Sequence, residues 1–180
     1  PGSHRGNRFA IRIRDTDGEP AAIEARLQVI GDAGVPNYFG PQRFGRDEGN
    51  LARARAWSDG GDAPRDRIQR GFALSAARSE LFNRVLDERV RRGDWDRLLA
   101  GEAVMLDGRR SFFIAEPADA ALEARRLAMD VHPSGPLPGR GESPATGIAR
   151  EVEDSVVGPQ AELVALLASR GIGSEARGHR

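Results

Sequence analysis

The chain has 180 residues, 39% of them hydrophobic, with 27 basic and 27 acidic side chains; every basic residue is Arg, and there is no Cys. That composition excludes disulfides, thiolate metal sites, a cysteine nucleophile, a Schiff-base lysine and a P-loop lysine. No apolar run reaches the roughly 18 residues of a membrane span, and no apolar leader follows Pro1, so a cytoplasmic protein is expected. Position 1 is not Met, so a trimmed chain or a fragment is expected.

The neutral total conceals a gradient. Residues 1–42 balance, residues 43–92 carry 12 Arg against 8 acids, and residues 93–180 carry 10 Arg against 14 acids. A polyanion would therefore prefer the middle of the chain.

Asn7 to Arg14 alternates, with Asn7, Phe9, Ile11 and Ile13 on one face, which predicts a strand. Asp15-Thr16-Asp17-Gly18 is turn chemistry. Glu19 to about Gly31 predicts a helix with Pro20 in its first turn. The run Gly34-Val-Pro-Asn-Tyr-Phe-Gly-Pro-Gln-Arg-Phe-Gly45 then holds the only Tyr and two Phe among glycines and prolines that forbid a long helix. Asn50 is placed as the cap of a short helix to Trp57.

A short helix is predicted at Arg65–Arg70 and a longer one at Leu74–Arg92, ended by Gly93. One more helical turn is expected at 95–100. Glu102–Leu106 and Ser111–Ala115 predict a hairpin through Asp107-Gly108. Helices are predicted at 117–129, 146–157 and 160–169, with loop or extended chain at 131–143 and a frayed end at 171–180.

Chemistry has few candidates. Asn7 and Phe9 share a face, so an amide sits beside a ring, as a planar base would need; a turn Asn and a core Phe give the same pattern. In the aromatic loop, Asn37, Gln42 and Arg43 are candidates for an RNA backbone, and a hydrophobic hinge is the other reading. Arg70 and Arg78 lie in an Arg-rich stretch suited to tracking phosphates, although solvated helix faces look the same. His4, His132 and His179 are too far apart for metal-ligand spacing, so no metal is expected.

The loop at 34–45 resembles the signature of the TruD family of tRNA pseudouridine synthases. Gly6-Asn7-Arg8-Phe9 is similar to the family's Asn-x-Phe motif. Asn50-Leu51, Arg65-Asp66-Arg67, Leu74–Ser79, Leu81-Phe82-Asn83, Gly101-Glu102 and His132–Leu137 with Gly139 follow in the family's order.

The resemblance implies an α/β (α+β) fold. Residues 1–34 would supply a strand and helix of the pseudouridine synthase catalytic domain. Residues 35–180 would form a mostly helical insertion domain with a small hairpin, incomplete at its C-terminal end. It also implies isomerisation of a uridine in tRNA, usually uridine 13, to pseudouridine without cofactor or metal. The base would flip into a cleft between the catalytic and insertion domains.

Asn7 and Phe9 match substrate-binding positions; Gln42, Arg43, Arg70 and Arg78 are the candidate RNA contacts. The family's essential Asp lies N-terminal to the Asn-x-Phe motif. None of Asp15, Asp17, Asp32 or Asp47 matches it, so no catalytic residue is assigned in this chain and the chain alone is expected to be inactive. A tRNA-binding module without catalysis and a structural or protein-interaction domain are the alternatives.

Overall fold

A computed structural model describes residues 8–109, 111–116 and 119–180. The chain divides into two units, Pro1–Gly34 and Val35–Arg180.

In the first unit, Pro20 has a fixed φ suited to a helix start and opens α1 (Pro20–Ala33), which Gly34 ends at φ 77°. No side chain of α1 is buried, and Leu27, Val29 and Ile30 face solvent. The strand predicted at 7–14 is not formed among residues 8–14, where Phe9, Ile11 and Ile13 are exposed. Alternation specifies which face a strand would bury but supplies no neighbour. Without a neighbouring strand the backbone has no ladder to join.

The second unit begins with the aromatic loop, which contains a 3-10 turn at Pro41–Phe44 and is followed by another at Arg46–Glu48. The helix α2 (Gly49–Ser58) follows, burying Leu51, Ala54 and Trp57. It starts at Gly49, so Asn50 is not its cap. Next comes α3 (Arg67–Arg92), where the structure joins the two helices expected at 65–70 and 74–92 into one of 26 residues. Asp66 accepts hydrogen bonds from the Ile68 and Gln69 amides at 2.8 and 2.9 Å. That cap, worth about 1 kcal/mol, offsets the roughly 1 kcal/mol cost of Gly71 inside the helix. Gly93, at φ 71°, closes the far end.

Strands β1 (Ala103–Leu106) and β2 (Phe112–Ile114) form the predicted antiparallel hairpin, with Val104 opposite Phe113. The helix α4 (Ala120–Leu127) starts at an Asp119 cap. Residues 131–137, expected as loop or extended chain, form β3 (Val131–His132), on the other edge of β1, and β4 (Ser134–Leu137). The helices α5 (Gly147–Val157) and α6 (Ala161–Ser169) stand where they were predicted. No helical element is assigned at 95–100, which is a turn. The end expected to fray is β5 (Glu175–Gly178), paired antiparallel with β4 so that Gly135 faces Arg177.

Three apolar clusters and one ionic cluster hold this unit, the third of them beneath the aromatic loop. Ala54, Ala73 and Ala77 are small enough for α2 to approach α3 closely, and Leu163 and Leu167 of α6 close the same cluster. Val104, Ala115, Leu122 and Val131 pack α4 on the three-stranded sheet.

The ionic cluster centres on Arg89, 2% exposed, and Glu102, 1% exposed. Arg89 Nη1 lies 3.1 Å from Glu102 Oε2, and its Nε donates to Asp94 Oδ1 at 2.8 Å. Its Nη2 donates to the carbonyls of Asp94 and Arg97 at 2.8 and 2.7 Å. Glu102 accepts from the Ser134 and Leu99 amides as well. Burial pushes the Glu102 carboxyl above its usual range, while Arg89 and the two amides favour its charge. No helix is long and apolar enough to cross a membrane among the described residues.

Glu153, on the buried face of α5, is only 6% exposed, and its Oε2 has no hydrogen-bond partner among the described residues. Burial raises its carboxyl from 4.5 to about 7. The folded state therefore keeps a proton that the unfolded chain has lost, and stability from this group falls as pH rises from about 4.5 towards 7. Glu153→Gln should match the parent near pH 4.5 and exceed it at pH 8 by roughly 2–3 kcal/mol in urea denaturation. A difference independent of pH would contradict this assignment.

Candidate nucleic-acid interface

The aromatic loop is fixed at one ring. Asn83 of α3 donates from Nδ2 to the Phe39 carbonyl and accepts from the Phe39 amide through Oδ1, both at 2.9 Å. An amide side chain is suited to this because it carries a donor and an acceptor side by side. The Phe39 ring then meets Phe82 edge-on, with centroids 5.5 Å apart. Phe44 is buried with Leu51 and Ala76 and anchors the loop's far end. Gly45 turns the chain there at φ 82°, where a Cβ would lie 2.9 Å from the Asn50 side chain.

Asn37 ties the loop's start to the C-terminal strand. Its backbone N–H donates to His179 O at 2.8 Å, and its Nδ2 lies 3.4 Å from the Gly178 and Arg180 carbonyls. Arg177 of β5 donates through Nη2 to Asn37 Oδ1 at 2.9 Å. The strand can come this close because position 135 on β4 is Gly: a Cβ there would meet His179 Nε2 at 2.6 Å. His179 is fully buried, and desolvation holds its imidazole well below its usual range, hence neutral at physiological pH.

Two guanidiniums converge on Phe39. The carbon of Arg177 lies 3.7 Å from the ring centroid and that of Arg43 lies 5.1 Å from it. Burial, and secondly the charge of Arg43, lower the pKa of Arg177. Both side chains line an open cleft of about 660 Å³. The rest of its wall includes Tyr38 and Phe72, which are aromatic, and Gln42, Asn50 and Ser75, which offer hydrogen bonds. Phe72 is 55% exposed, so its ring is open to the cleft it lines.

The residues singled out from sequence are thus divided. Gln42 and Arg43 stand together in the cleft. Arg70 is exposed near the start of α3, with Nη2 3.2 Å from the Arg65 carbonyl, and does not line the cleft. Arg78 is turned inward. It donates to the carbonyls of Pro138, Leu137 and Gly173 at 3.2, 2.9 and 2.6 Å and pairs with Glu175 at 3.7 Å. Its guanidinium fastens β4 and the chain before β5 to α3, a framework role that the phosphate-tracking and solvated-face readings do not include. Phe9 is 78% exposed in the first unit, and Asn7 lies outside the described residues. No group of His, Asp or Glu suited to a metal occurs among the described residues. Arg177 is invisible to sequence reasoning, because a four-residue strand without apolar alternation leaves no signal of its own.

Known proteins match this chain along most of its length. The family model described as tRNA pseudouridine synthase D (TruD) matches residues 1–54 and 62–162. A tRNA pseudouridine synthase D of Nitrosococcus oceani is 49% identical over 179 residues, covering 99% of this chain and 50% of the relative. That of Pseudomonas fluorescens is 42% identical over 176 residues, covering 98% and 50%. The chain therefore spans about half the length of these curated relatives. A solved structure assigned as tRNA pseudouridine synthase D, from Methanosarcina mazei, superposes with a TM-score of 0.67 at 17% identity, covering 93% of this chain and 57% of that one. That likeness shows the fold.

The Asn83 clamp makes a stability prediction. Asn83→Ala leaves the Phe39 amide and carbonyl without their partner and should cost roughly 1–3 kcal/mol in urea denaturation. A loss below about 0.5 kcal/mol would mean that the loop is held by its apolar contacts alone.

Proposed function

Because the chain belongs to the TruD family of tRNA pseudouridine synthases, we propose that it is part of an enzyme that isomerises a uridine of tRNA, at position 13, to pseudouridine. The observation that carries this reading is 49% identity sustained over 99% of the chain to a relative of that name. The reaction breaks the bond from ribose C1′ to uracil N1, turns the uracil, and joins C1′ to C5. The C5 proton leaves and N1 gains one, so the product is an isomer. The target base has to leave its stack for these atoms to be reached.

In this reading Asn7 and Phe9 hold the uracil, the amide by hydrogen bonds and the ring by stacking. The exposure of Phe9 leaves its ring available for that contact. The Asp that acts at the ribose lies, by the family's motif order, N-terminal to Asn7. Residues 35–180 contribute RNA binding through the cleft beside the aromatic loop, with Gln42 and Arg43 in its wall. Arg70 adds an exposed charge outside it. The enzyme acts in the cytoplasm and uses no cofactor.

A second reading is a tRNA-binding module without turnover. It rests on the two guanidiniums beside Phe39, which serve binding whether or not chemistry follows.

Tritium release from tRNA labelled at uridine C5 separates the two. The full-length protein should release tritium, Asn7→Ala and Phe9→Ala should each slow it at least about tenfold, and the 180-residue chain alone should release none. Binding of tRNA by the full-length protein without release would leave the second reading, and turnover by the 180-residue chain would show that the reacting Asp lies within it.

A further inference from the structure

Arginine supplies every basic side chain of this chain apart from His, and several of its guanidiniums are paired with carboxylates. Arg89 lies against Asp94 and Glu102, Arg126 against Glu123 and Asp96, Arg150 against Asp154 and Glu142. Arg78 meets Glu175 and three carbonyls. Arg43 and Arg177 share one ring and one cleft. Among the described residues neither has a carboxylate within 4.0 Å, although both approach the same ring. Arg43 donates through Nη1 to Ser75 Oγ at 2.9 Å, and Arg177 uses Nη2 on Asn37. Arg177 Nε and Nη1 and most of the Arg43 fork make no hydrogen bond among the described residues.

Two like charges within reach of one half-buried ring repel each other, and an anion between them would relieve that repulsion. Burial first, and then the charge of Arg43, lowers the pKa of Arg177. A planar fork suits the oxygens of a phosphate, which can accept from both guanidiniums at once. The cleft is far larger than a lone phosphate, at about 660 Å³. Its wall carries the exposed Phe72 ring, and Gln42 and Asn50 offer donors and acceptors beside it. A ring, amides and paired guanidiniums together fit one nucleotide of an unpaired strand, since a base inside a helix cannot lie on a protein ring.

We propose that this cleft seats one internucleotide phosphate of single-stranded RNA between Arg43 and Arg177, with the adjoining base on Phe72. The proposal deepens the RNA-binding role given above and rests on that reading. Arg177 lies beyond the last residue matched by the family model, at 162, so the seat is drawn from the geometry.

The test is binding of unmodified tRNA by the full-length protein across a salt series. Losing one phosphate contact on a single strand should reduce the slope of log affinity against log salt by about 0.7. Arg43→Ala and Arg177→Gln should each do so, and the double variant should lose little more than either, because both forks hold one phosphate. Phe72→Ala should weaken binding without changing the slope, and Phe72→Trp should restore it. Arg91→Ala, a change at an exposed arginine outside the cleft, should leave the slope as it was.

Thermal melting of each variant separates lost binding from lost folding. If Arg177→Gln unfolds, Arg43→Ala and ethylation interference carry the test. One ethylated phosphate should impair binding to the parent and not to Arg43→Ala. Unchanged slopes, additive slopes in the double variant, or displacement of tRNA by inorganic phosphate or uridine monophosphate at low millimolar concentration would each overturn the proposal. Tritium release by the parent is measured alongside. Its absence would remove the enzymatic reading while the binding results still decide the seat.

Discussion

One buried guanidinium joins most of the second unit. Arg89 sits near the end of α3 and reaches Asp94, the carbonyl of Arg97 and Glu102, while Glu102 in turn receives the amides of Leu99 and Ser134. The helix, the turn after it, the residue before β1 and the first residue of β4 are thus held by the Arg89–Glu102 pair together with Asp94. Such a pair is not a large source of net stability, since both ions lose their hydration. Removing Arg89 would leave the buried Glu102 without its counter-ion, at a cost of about 3–5 kcal/mol. The constraint it imposes is geometric: each nitrogen of the Arg89 guanidinium has its own acceptor, so the segments meet in one arrangement.

That arrangement reaches the cleft through β4 and β5. Ser134 is held by Glu102, Gly135 faces Arg177 across the ladder, and Arg78 fixes the carbonyl of Leu137 at the far end of β4. The aromatic loop is bound to the same frame from the other side, through Asn83 on α3 and through Asn37 to the C-terminal strand. Phe39 is therefore set by two independent elements, and Arg177 arrives over it as a consequence of strand register. Arg89 and Arg78, in the frame, are matched by carboxylates and carbonyls, whereas the two guanidiniums beside Phe39 have no carboxylate partner among the described residues and keep donors in the wall of the cleft.

Much of the fold can be read from the residues. Leu81, Phe82, Val85 and Leu86 fall at helical spacing and bury one face of α3, and Asp107-Gly108 sits where β1 turns back towards β2. The failures share a cause: they depend on partners distant in sequence. Residues 7–14 alternate as a strand should, but alternation names a face and not a neighbour. β4 and β5 hold Pro, Gly and charged residues, and they form because they meet each other and Arg78. The break expected between 70 and 74 does not occur, because Asp66 caps the helix and Ala73, Ala76 and Ala77 pack it, which outweighs one exposed Gly71. The family resemblance rests on the aromatic loop and its companions, and it identifies the family without telling which arginines face outward. Arg43 and Arg78 look alike in sequence, yet one stands in an open cleft and the other binds three backbone carbonyls.

The central claim is that the cleft beside Phe39 is where RNA backbone rests. A structure of the full-length protein bound to unmodified tRNA tests it most directly. One phosphate should lie within hydrogen-bond reach, about 2.7–3.2 Å, of both Arg43 and Arg177, with the neighbouring base on Phe72. A bound tRNA whose backbone passes elsewhere and leaves both guanidiniums facing solvent would contradict it.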